Sequence, residues 1–488
     1  MHPLRISIAA LLIAGSALKA QDAQVLTLSE AVAQALHNNL DLRIQKYEPL
    51  IAKDTVKVQE AAFDIRLDAS AGAGGDKSAL TGDATSSGFA TAGATKMIST
   101  GATVGLTTTL DHSPALAKDS NTALTASITQ PLLRGAWSDV TLAELRKAQS
   151  SMTQSQLQLR SKALDLILGV STQYWNLSHA RENVELLKSS VHAAELLVEE
   201  SRAKLDAGLA TDIDLLQAQA SLSEKQEALT QAELAIFAAG DELAQSMGTL
   251  LEQAGTSFNP SVAALPTDLS KSFAFEQIWP GILAADLDSA MQEEAIRRAD
   301  LERIQASNGR LPQVDLVLET GLSGSDSSEK DSYDSLANGD GHDWSTTLKF
   351  SMPLGRRADI ARSRQSQSRL EQAKIQLIAV KQALYKKARQ AWRDVELGVD
   401  RCNSAKARVE YQSVALDRAK SRYSNNLISF RELLDAQKDF DDARLMYINA
   451  LRDLAVARAT MARLQGGIGE VPGMNDFNTD SIKENTSK

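Results

Sequence analysis

Apolar residues recur along this chain at two different spacings. Leu370, Ala373, Leu377, Val380, Leu384, Ala388, Ala391 and Val395 fall at alternating steps of three and four, the seam of a coiled coil. Leu164, Leu168, Ser171, Trp175 and Ser178 trace a weaker version. Both seams lie in proline-free stretches, one from Pro131 to Pro260 and one from Pro353 to Pro472. Proline breaks helix interiors, so such stretches leave room for very long helices. A helix from Ser138 to Asp206 would reach on the order of 100 Å at the α-helical rise.

Elsewhere the apolar positions recur every second residue. Ile65, Leu67, Ala69, Ala71 and Ala73 alternate with Arg66, Asp68, Ser70, Gly72 and Gly74, and Leu124, Ala126 and Ile128 alternate with Thr125, Ser127 and Thr129. Further on, Val314, Leu316 and Leu318 open one strand. Trp344, Thr346, Leu348, Phe350 and Met352 alternate with Ser345, Thr347, Lys349 and Ser351 in another. Strands of about ten residues, apolar on one face and polar on the other, suit a transmembrane barrel around a wet lumen. The same alternation suits a soluble sandwich, and the pattern alone does not choose between them. Gly-, Ser- and Asp-rich stretches between strands, notably Ser323–Gly341, read as exposed loops. Ala102, Val104, Leu106, Thr108 and Leu110 make one more alternating segment, with Ser87–Ile98 as a faint partner. That pair either widens a barrel or elaborates its surface. Because the second half has no counterpart, a loop or extension is the expectation.

Each proline-free stretch is broken near its middle by a helix-stop signal, Gly208 in the first and Asn425-Asn426 in the second. Both residue types tolerate the left-handed conformation that ends a helix. Setting Gly208–Gln219 against Asn426–Gln437 pairs Leu209 with Leu427, Leu215 with Leu433, Leu216 with Leu434, Ala218 with Ala436 and Gln219 with Gln437. Average composition would supply roughly one such identity. Thr211/Ser429 and Asp214/Glu432 keep their chemistry, and Thr or Ser there is placed to cap the returning helix. Upstream, Gln130-Pro131-Leu132 answers Met352-Pro353-Leu354, each directly before a long helix. The chain therefore reads as two copies of a unit of about 220 residues, far longer than a solenoid period. The first repeat is placed at 21–255 and the second at 256–465, each with a helix, strands and a long helical hairpin.

The N-terminus and composition give this unit a destination. Arg5, the apolar run Ile6–Ala14 and small residues through Ala20 have the layout of a secretory signal peptide, 1–20, with cleavage after Ala20 preferred to Ala17. Its apolar run is too short for a membrane span, and no later stretch is long and apolar enough for one. Residues 466–488 read as a flexible tail. Cys402 is the only cysteine, so one copy cannot form a disulfide, and no cysteine near the signal invites a lipid. A net charge of −10 argues against a nucleic-acid partner, which calls for a basic face. Export and the attached long helices decide the strand question for the barrel.

Candidate chemistry is sparse. His2, His37, His112, His179, His192 and His342 show no metal spacing, and neither a phosphate-cradling Gly loop nor a nucleophile elbow occurs. No cofactor, metal or enzymatic activity is expected. Glu199-Glu200 and Asp441-Asp442 read as solvated helix faces, and Tyr174, Trp175, Tyr385 and Trp392 as packing groups.

Leu26-Thr27-Leu28-Ser29-Glu30-Ala31-Val32-Ala33-Gln34-Ala35-Leu36-His37-Asn38-Asn39-Leu40-Asp41-Leu42 looks like the opening helix of the TolC-type outer-membrane efflux proteins. Gln130-Pro131-Leu132-Leu133-Arg134-Gly135 looks like that family's strand-to-helix junction, and Lys204–Gln219 and Arg422–Gln437 like its two helix-turn-helix tips. The resemblance covers nearly the whole chain after the signal. It implies an α+β membrane protein, a homotrimer in which each protomer gives four strands to one outer-membrane β-barrel and long helices to an antiparallel coiled-coil periplasmic tunnel. A shared closed barrel also satisfies backbone groups that one protomer's open sheet could not satisfy in lipid.

The implied function is the exit duct of a tripartite efflux or type I secretion system, in contact with outer-membrane lipid. A periplasmic adaptor (a membrane fusion protein) would join it to an inner-membrane RND or ABC pump. The tips, at Gly208, Leu209, Thr211, Asn426, Leu427 and Ser429, would meet the adaptor, although tight turns alone would also call for Gly or Asn. Glu432 and Asp435, three apart and so on one helix face, match the acids that ring the family's periplasmic entrance. Asp214 is the first-copy equivalent of Glu432, and Tyr423 matches an aromatic that helps hold the closed state. Ile428 stands where the family often has a gating arginine, and an isoleucine offers no charge for a closing salt bridge. The reading from another class is a trimeric outer-membrane adhesin or periplasmic coiled-coil scaffold without transport. Duplication and antiparallel hairpins argue against it, since adhesin stalks are usually single parallel runs.

Overall fold

Both proline-free stretches fold as pairs of very long helices, and all the alternating segments join one sheet. The computed structural model describes residues 26–77, 84–113, 119–253, 260–270, 274–425 and 427–466; the signal segment and all but the first residue of the tail lie outside them. In chain order the elements are α1 (Leu28–Asn38), α2 (Leu40–Gln45), α3 (Tyr47–Glu60), β1 (Ile65–Lys77), β2 (Ala84–Met97), β3 (Thr103–His112) and β4 (Ser120–Pro131). There follow α4 (Ser138–Thr141), α5 (Ala143–Asp206), α6 (Asp212–Met247), α7 (Phe275–Ala285), α8 (Leu287–Asn308), β5 (Gln313–Asp326), α9 (Glu329–Asn338), β6 (Gly341–Ser351), α10 (Arg357–Ser424) and α11 (Phe430–Leu464). The long helices α5 and α10 hold 64 and 68 residues, well past an ordinary globular helix.

One compact unit comprises Asp41–Ala163 and Leu283–Lys387 and contains the sheet. Its six strands run β1-β2-β3-β4-β5-β6, each neighbouring pair antiparallel. This corrects the expected four strands. Ser87–Ile98 and Ala102–Leu110 are not a surface extension, because β2 pairs with β1 over Ala84–Lys96 and with β3 over Gly88–Met97, while β3 pairs along its whole length with both β2 and β4. A projecting hairpin would have left two strands' outer backbone groups unpaired, whereas insertion between neighbours satisfies both edges.

The register fixes two faces of opposite character. Leu67, Ala94, Leu106 and Ala126 lie across from one another on four successive strands, as do Val104, Ile128, Leu318 and Thr346 on the last four. Leu316 with Leu348 and Val314 with Phe350 continue the same face. Asp68, Gly93, Thr107 and Thr125 lie across the other face, with Asp315 opposite Lys349 and Glu319 opposite Ser345. The apolar face is uncovered: Leu67, Trp344, Leu348 and Phe350 are all exposed.

A second correction concerns Ser323–Gly341, expected as an exposed loop. The strand β5 continues to Asp326 and α9 follows, capped by the Ser328 hydroxyl, which accepts from the Asp331 N–H. Ser332 of α9 is fully buried, with Oγ 2.8 Å from Thr122 Oγ1 and 3.0 Å from the Gly324 carbonyl. A glycine on the sheet at 324 lets that helix lie directly on the strand.

The other compact unit comprises the chain through Leu40, Leu164–Ile282 and Ala388 onward. Its core includes the fully buried side chains of Tyr174, Leu177, Leu243, Met247 and Leu454. The Tyr174 hydroxyl donates to the Leu26 carbonyl at 2.8 Å and accepts from the Ala263 N–H at 2.9 Å, so one phenol fixes two extended segments against α5. Trp175 meets Tyr174 edge-on at 5.1 Å and Trp392 meets Phe275 at 6.1 Å, as packing groups do. Tyr385 is exposed. Cys402 is buried.

Candidate functional site: the helical tips

The backbone closes the turn between α5 and α6 without help from side chains. The Leu209 N–H donates to the Lys204 carbonyl at 2.8 Å and the Gly208 N–H to the Leu205 carbonyl at 2.9 Å, the bond pair that ends a helix on a left-handed residue. Gly208 takes that conformation at φ 72°, where a side chain is strained. Thr211 then caps α6. Its hydroxyl accepts from the Asp214 N–H at 3.3 Å, and the Asp214 carboxylate accepts from the Thr211 N–H at 3.0 Å and hydroxyl at 2.8 Å. This reciprocal arrangement satisfies donors that every helix start leaves open.

The turn between α10 and α11 has the same chemistry. The Leu427 N–H donates to the Arg422 carbonyl at 2.9 Å. The Ser429 hydroxyl accepts from the Glu432 N–H at 3.3 Å and donates to the Glu432 carboxylate at 3.1 Å. Asn426 lies outside the described residues. Leu209 and Leu427, matched in the sequence, are each 66 % accessible, so each turn offers one apolar side chain to solvent.

Next to the tips, Leu197, Ala218, Leu416, Tyr423, Phe430 and Leu433 form a buried cluster. Tyr423 packs 5.6 Å from Phe430, centroid to centroid. The Lys204 ammonium stands 3.6 Å over the Tyr423 ring and pairs with Glu200 at 3.0 Å. Burial raises the Tyr423 phenol above its ordinary pKa; the Lys204 charge opposes this, and the Glu200 and Asp214 carboxylates add to it. Ile428 is half-buried against the same cluster, so an apolar contact occupies the place where the resemblance led one to look for an arginine.

The named acids therefore differ in situation. Asp214, half-buried, closes a capping box at the third position of α6, whereas Glu432, exposed at the third position of α11, meets only the Ser429 hydroxyl through its carboxylate. Asp435 is exposed one turn further along α11 and is not a cap. Tyr423 and Asp214 come within electrostatic reach of each other. Sequence reasoning missed Lys204 and Phe430 as partners of Tyr423; the available signal was Lys204 in the last turn of α5, the position Arg422 holds before the second tip. It also misplaced Asp441, read as part of a solvated face. Asp441 is buried and bonded by Lys225 of α6 at 2.9 Å and by Gln437 at 3.1 Å. Its partner is 216 residues away in sequence, beyond the reach of spacing arguments.

Among the described residues, no group of His, Cys, Asp and Glu could hold a metal ion, and no helix is long and apolar enough to cross a membrane. A β-barrel needs no such helix.

The family model described as "Outer membrane efflux protein" matches residues 31–249 and 282–467. Over 463 residues the chain is 24 % identical to the outer membrane efflux protein BepC of Brucella suis, covering 94 % of this chain and 89 % of that protein. The CmeC outer membrane channel of Campylobacter jejuni superposes with a TM-score of 0.68 at 16 % identity, over 94 % of this chain and 89 % of the other. The outer membrane protein VceC of Vibrio cholerae does so with 0.68 at 16 % identity, over 90 % and 96 %. The family match extends across both compact units and both tips, and the chain belongs to the outer membrane efflux protein family, whose members are outer-membrane channels with periplasmic helical tunnels.

Proposed function

We propose that the chain is one protomer of a homotrimeric exit duct, joined through a periplasmic adaptor to an inner-membrane pump of the RND or ABC type and serving efflux or type I secretion. The observation that carries this reading is the sheet. One face is apolar and uncovered, the other polar, which suits lipid outside and water inside. Among the described residues of the single chain, the outer strands β1 and β6 each leave one edge unpaired. Unpaired edges are not tolerated in hydrocarbon, so copies must close the barrel between them. Matching turns on the two hairpins support a duplicated unit, placed at 21–255 and 256–465. Antiparallel hairpins favour a tunnel over the parallel stalk of an adhesin.

At the periplasmic mouth, three copies of Asp214, Glu432 and Asp435 would surround one axis, where their fields add and favour cations. Tyr423 and its Lys204 partner would hold the entrance closed, while Leu209 and Leu427 would meet the adaptor. On this reading the protein performs no catalysis. The test is the protein extracted from outer membranes in detergent, examined by light scattering and in planar bilayers. A trimer with discrete conductance is the expected result. A water-soluble monomer overturns the reading, and a trimer that conducts nothing favours an adhesin or scaffold.

A further inference from the structure

We propose that the β2–β3 hairpin is part of the membrane wall, so that the assembled barrel closes eighteen strands where four per protomer would have closed twelve. The inference rests on the trimeric reading above. Three independent features support it. The first is length and pairing: β2 has 14 residues and β3 has 10, enough for a tilted strand to cross hydrocarbon at about 9–11 residues. The strand β3 is hydrogen-bonded on both sides over all its residues, and β2 on both sides over Gly88–Lys96.

The second is the continuity of the two faces. Ala90, Ala92 and Ala94 of β2 lie between Ala71, Ala69 and Leu67 on one side and Leu110, Thr108 and Leu106 on the other. A hairpin standing in water would have no reason to extend a lipid-facing surface across itself. On the opposite face the same strands carry Thr91, Gly93, Thr95, Gly105, Thr107 and Thr109, small or hydroxylated side chains suited to a wet lumen, with Phe89 and Met97 on that face toward the two ends of β2.

The third is the turn. Thr100 and Gly101 sit at the helix-bearing end of the sheet, held by the Trp137 N–H to the Thr100 carbonyl at 3.0 Å and by the Thr100 hydroxyl to Gln130 at 3.2 Å. Gly101 takes φ 87°, and any Cβ there would collide with the Gly135 carbonyl. The hairpin is thus clamped to the junction between β4 and α4, as a wall strand is and a surface loop is not.

Six alternating strands leave β6 antiparallel to β1 of the next copy, so the ring closes without a parallel pair. Barrel diameter grows roughly linearly with strand number, making this lumen about 1.5 times as wide as a twelve-stranded one and comparable to the porins that hold open aqueous channels. The membrane segment then passes solutes bulkier than a twelve-stranded barrel passes. The rival closure peels β1 and β2 away and pairs β6 with β3 of the neighbour.

The two closures are separated by cross-linking in the full-length protein with the buried thiol removed (Cys402→Ala). Cysteines are placed on the outer face of β1 and β6 (Leu67→Cys with Leu348→Cys, and Ala71→Cys with Trp344→Cys). A second set joins β3 and β6 (Leu106→Cys with Leu348→Cys, and Leu110→Cys with Trp344→Cys). A short bis-maleimide is applied in detergent and the products are resolved on denaturing gels. Covalent ladders to trimer from the first set and none from the second are expected. Ladders from the second set, or a trimer that links through neither, overturn the proposal. Light scattering before cross-linking checks the trimer separately, and a monomer there removes the reading on which the count depends.

Discussion

The Lys204 ammonium stands 3.6 Å from the centroid of the Tyr423 ring, tying the last turn of α5 to the last turn of α10. A cation over an aromatic face contributes about 0.5 kcal/mol when exposed and about 2 kcal/mol when desolvated. Tyr423 is buried and the Lys204 side chain is 17 % accessible, so the upper part of that range applies. In the gate reading this contact holds the closed state. Lys204→Met and Tyr423→Leu should each raise the open fraction in planar bilayers by roughly fivefold for every ~1 kcal/mol removed. Tyr423→Phe keeps the ring face and should behave like the wild type. Equal conductance in all three variants would remove this pair from the gate.

The two exposed leucines test adaptor docking. Leu209→Asp with Leu427→Asp leaves both caps in place, because the closing bonds use only backbone N–H groups at those positions. Trimer assembly should persist while adaptor cross-linking and export fall to background. If cross-linking survives in an intact trimer, the tips are not the docking surface.

The acids can be tested without unfolding the helix start. Glu432→Gln keeps a cap-competent side chain at the third helical position, and Asp435→Asn changes charge at a residue that caps nothing. The double variant should lose cation preference and block by multivalent cations at unchanged thermal stability. Thr211→Ala, in contrast, should cost about 1 kcal/mol of local helix stability without altering selectivity. Unchanged selectivity in Glu432→Gln/Asp435→Asn would show that the acids are ordinary surface charges.

His179 supplies a pH dependence of known sign. Its Nε2 lies 2.7 Å from Asn449 Oδ1, joining α5 to α11. Burial holds its pKa below the ordinary imidazole value; the bond to Asn449 opposes this, Arg452 adds to it and Asp453 opposes it. The folded state thus binds this proton less readily than the unfolded one. Its contribution to stability is full above the unfolded imidazole pKa, roughly 6.5, and declines below it. Between about pH 7 and about pH 5, the melting temperature should fall more steeply in the wild type than in His179→Gln. Parallel slopes would acquit His179.

What could be read from the sequence depended on side-chain contrast and on distance along the chain. The long helices were visible because proline is absent from them, and the tips because Gly208 and Thr211 are demanded by backbone geometry that any sequence must obey. The strands β1, β4, β5 and β6 showed through alternation of Leu, Ile, Val or Trp with polar residues. The strand β2 did not, because its faces contrast Ala with Thr and Gly, a difference too small to read without neighbours. The helix α9 was hidden in a Ser- and Asp-rich stretch, since a helix of ten residues capped at both ends by Ser328 and Gly339 needs little apolar content. The Lys204–Tyr423 and Lys225–Asp441 contacts bring together residues far apart in the chain, for which local pattern has no signal.

The free edges of β1 and β6 also bear on how the protein comes into being. A newly exported chain on its own would carry two rows of unmet N–H and C=O groups, which water can satisfy and hydrocarbon cannot. On the trimeric reading, insertion waits for encounter with other copies, and the rate of maturation becomes a function of how many chains are present at once. For such a protein, stability has no meaning separate from protomer concentration.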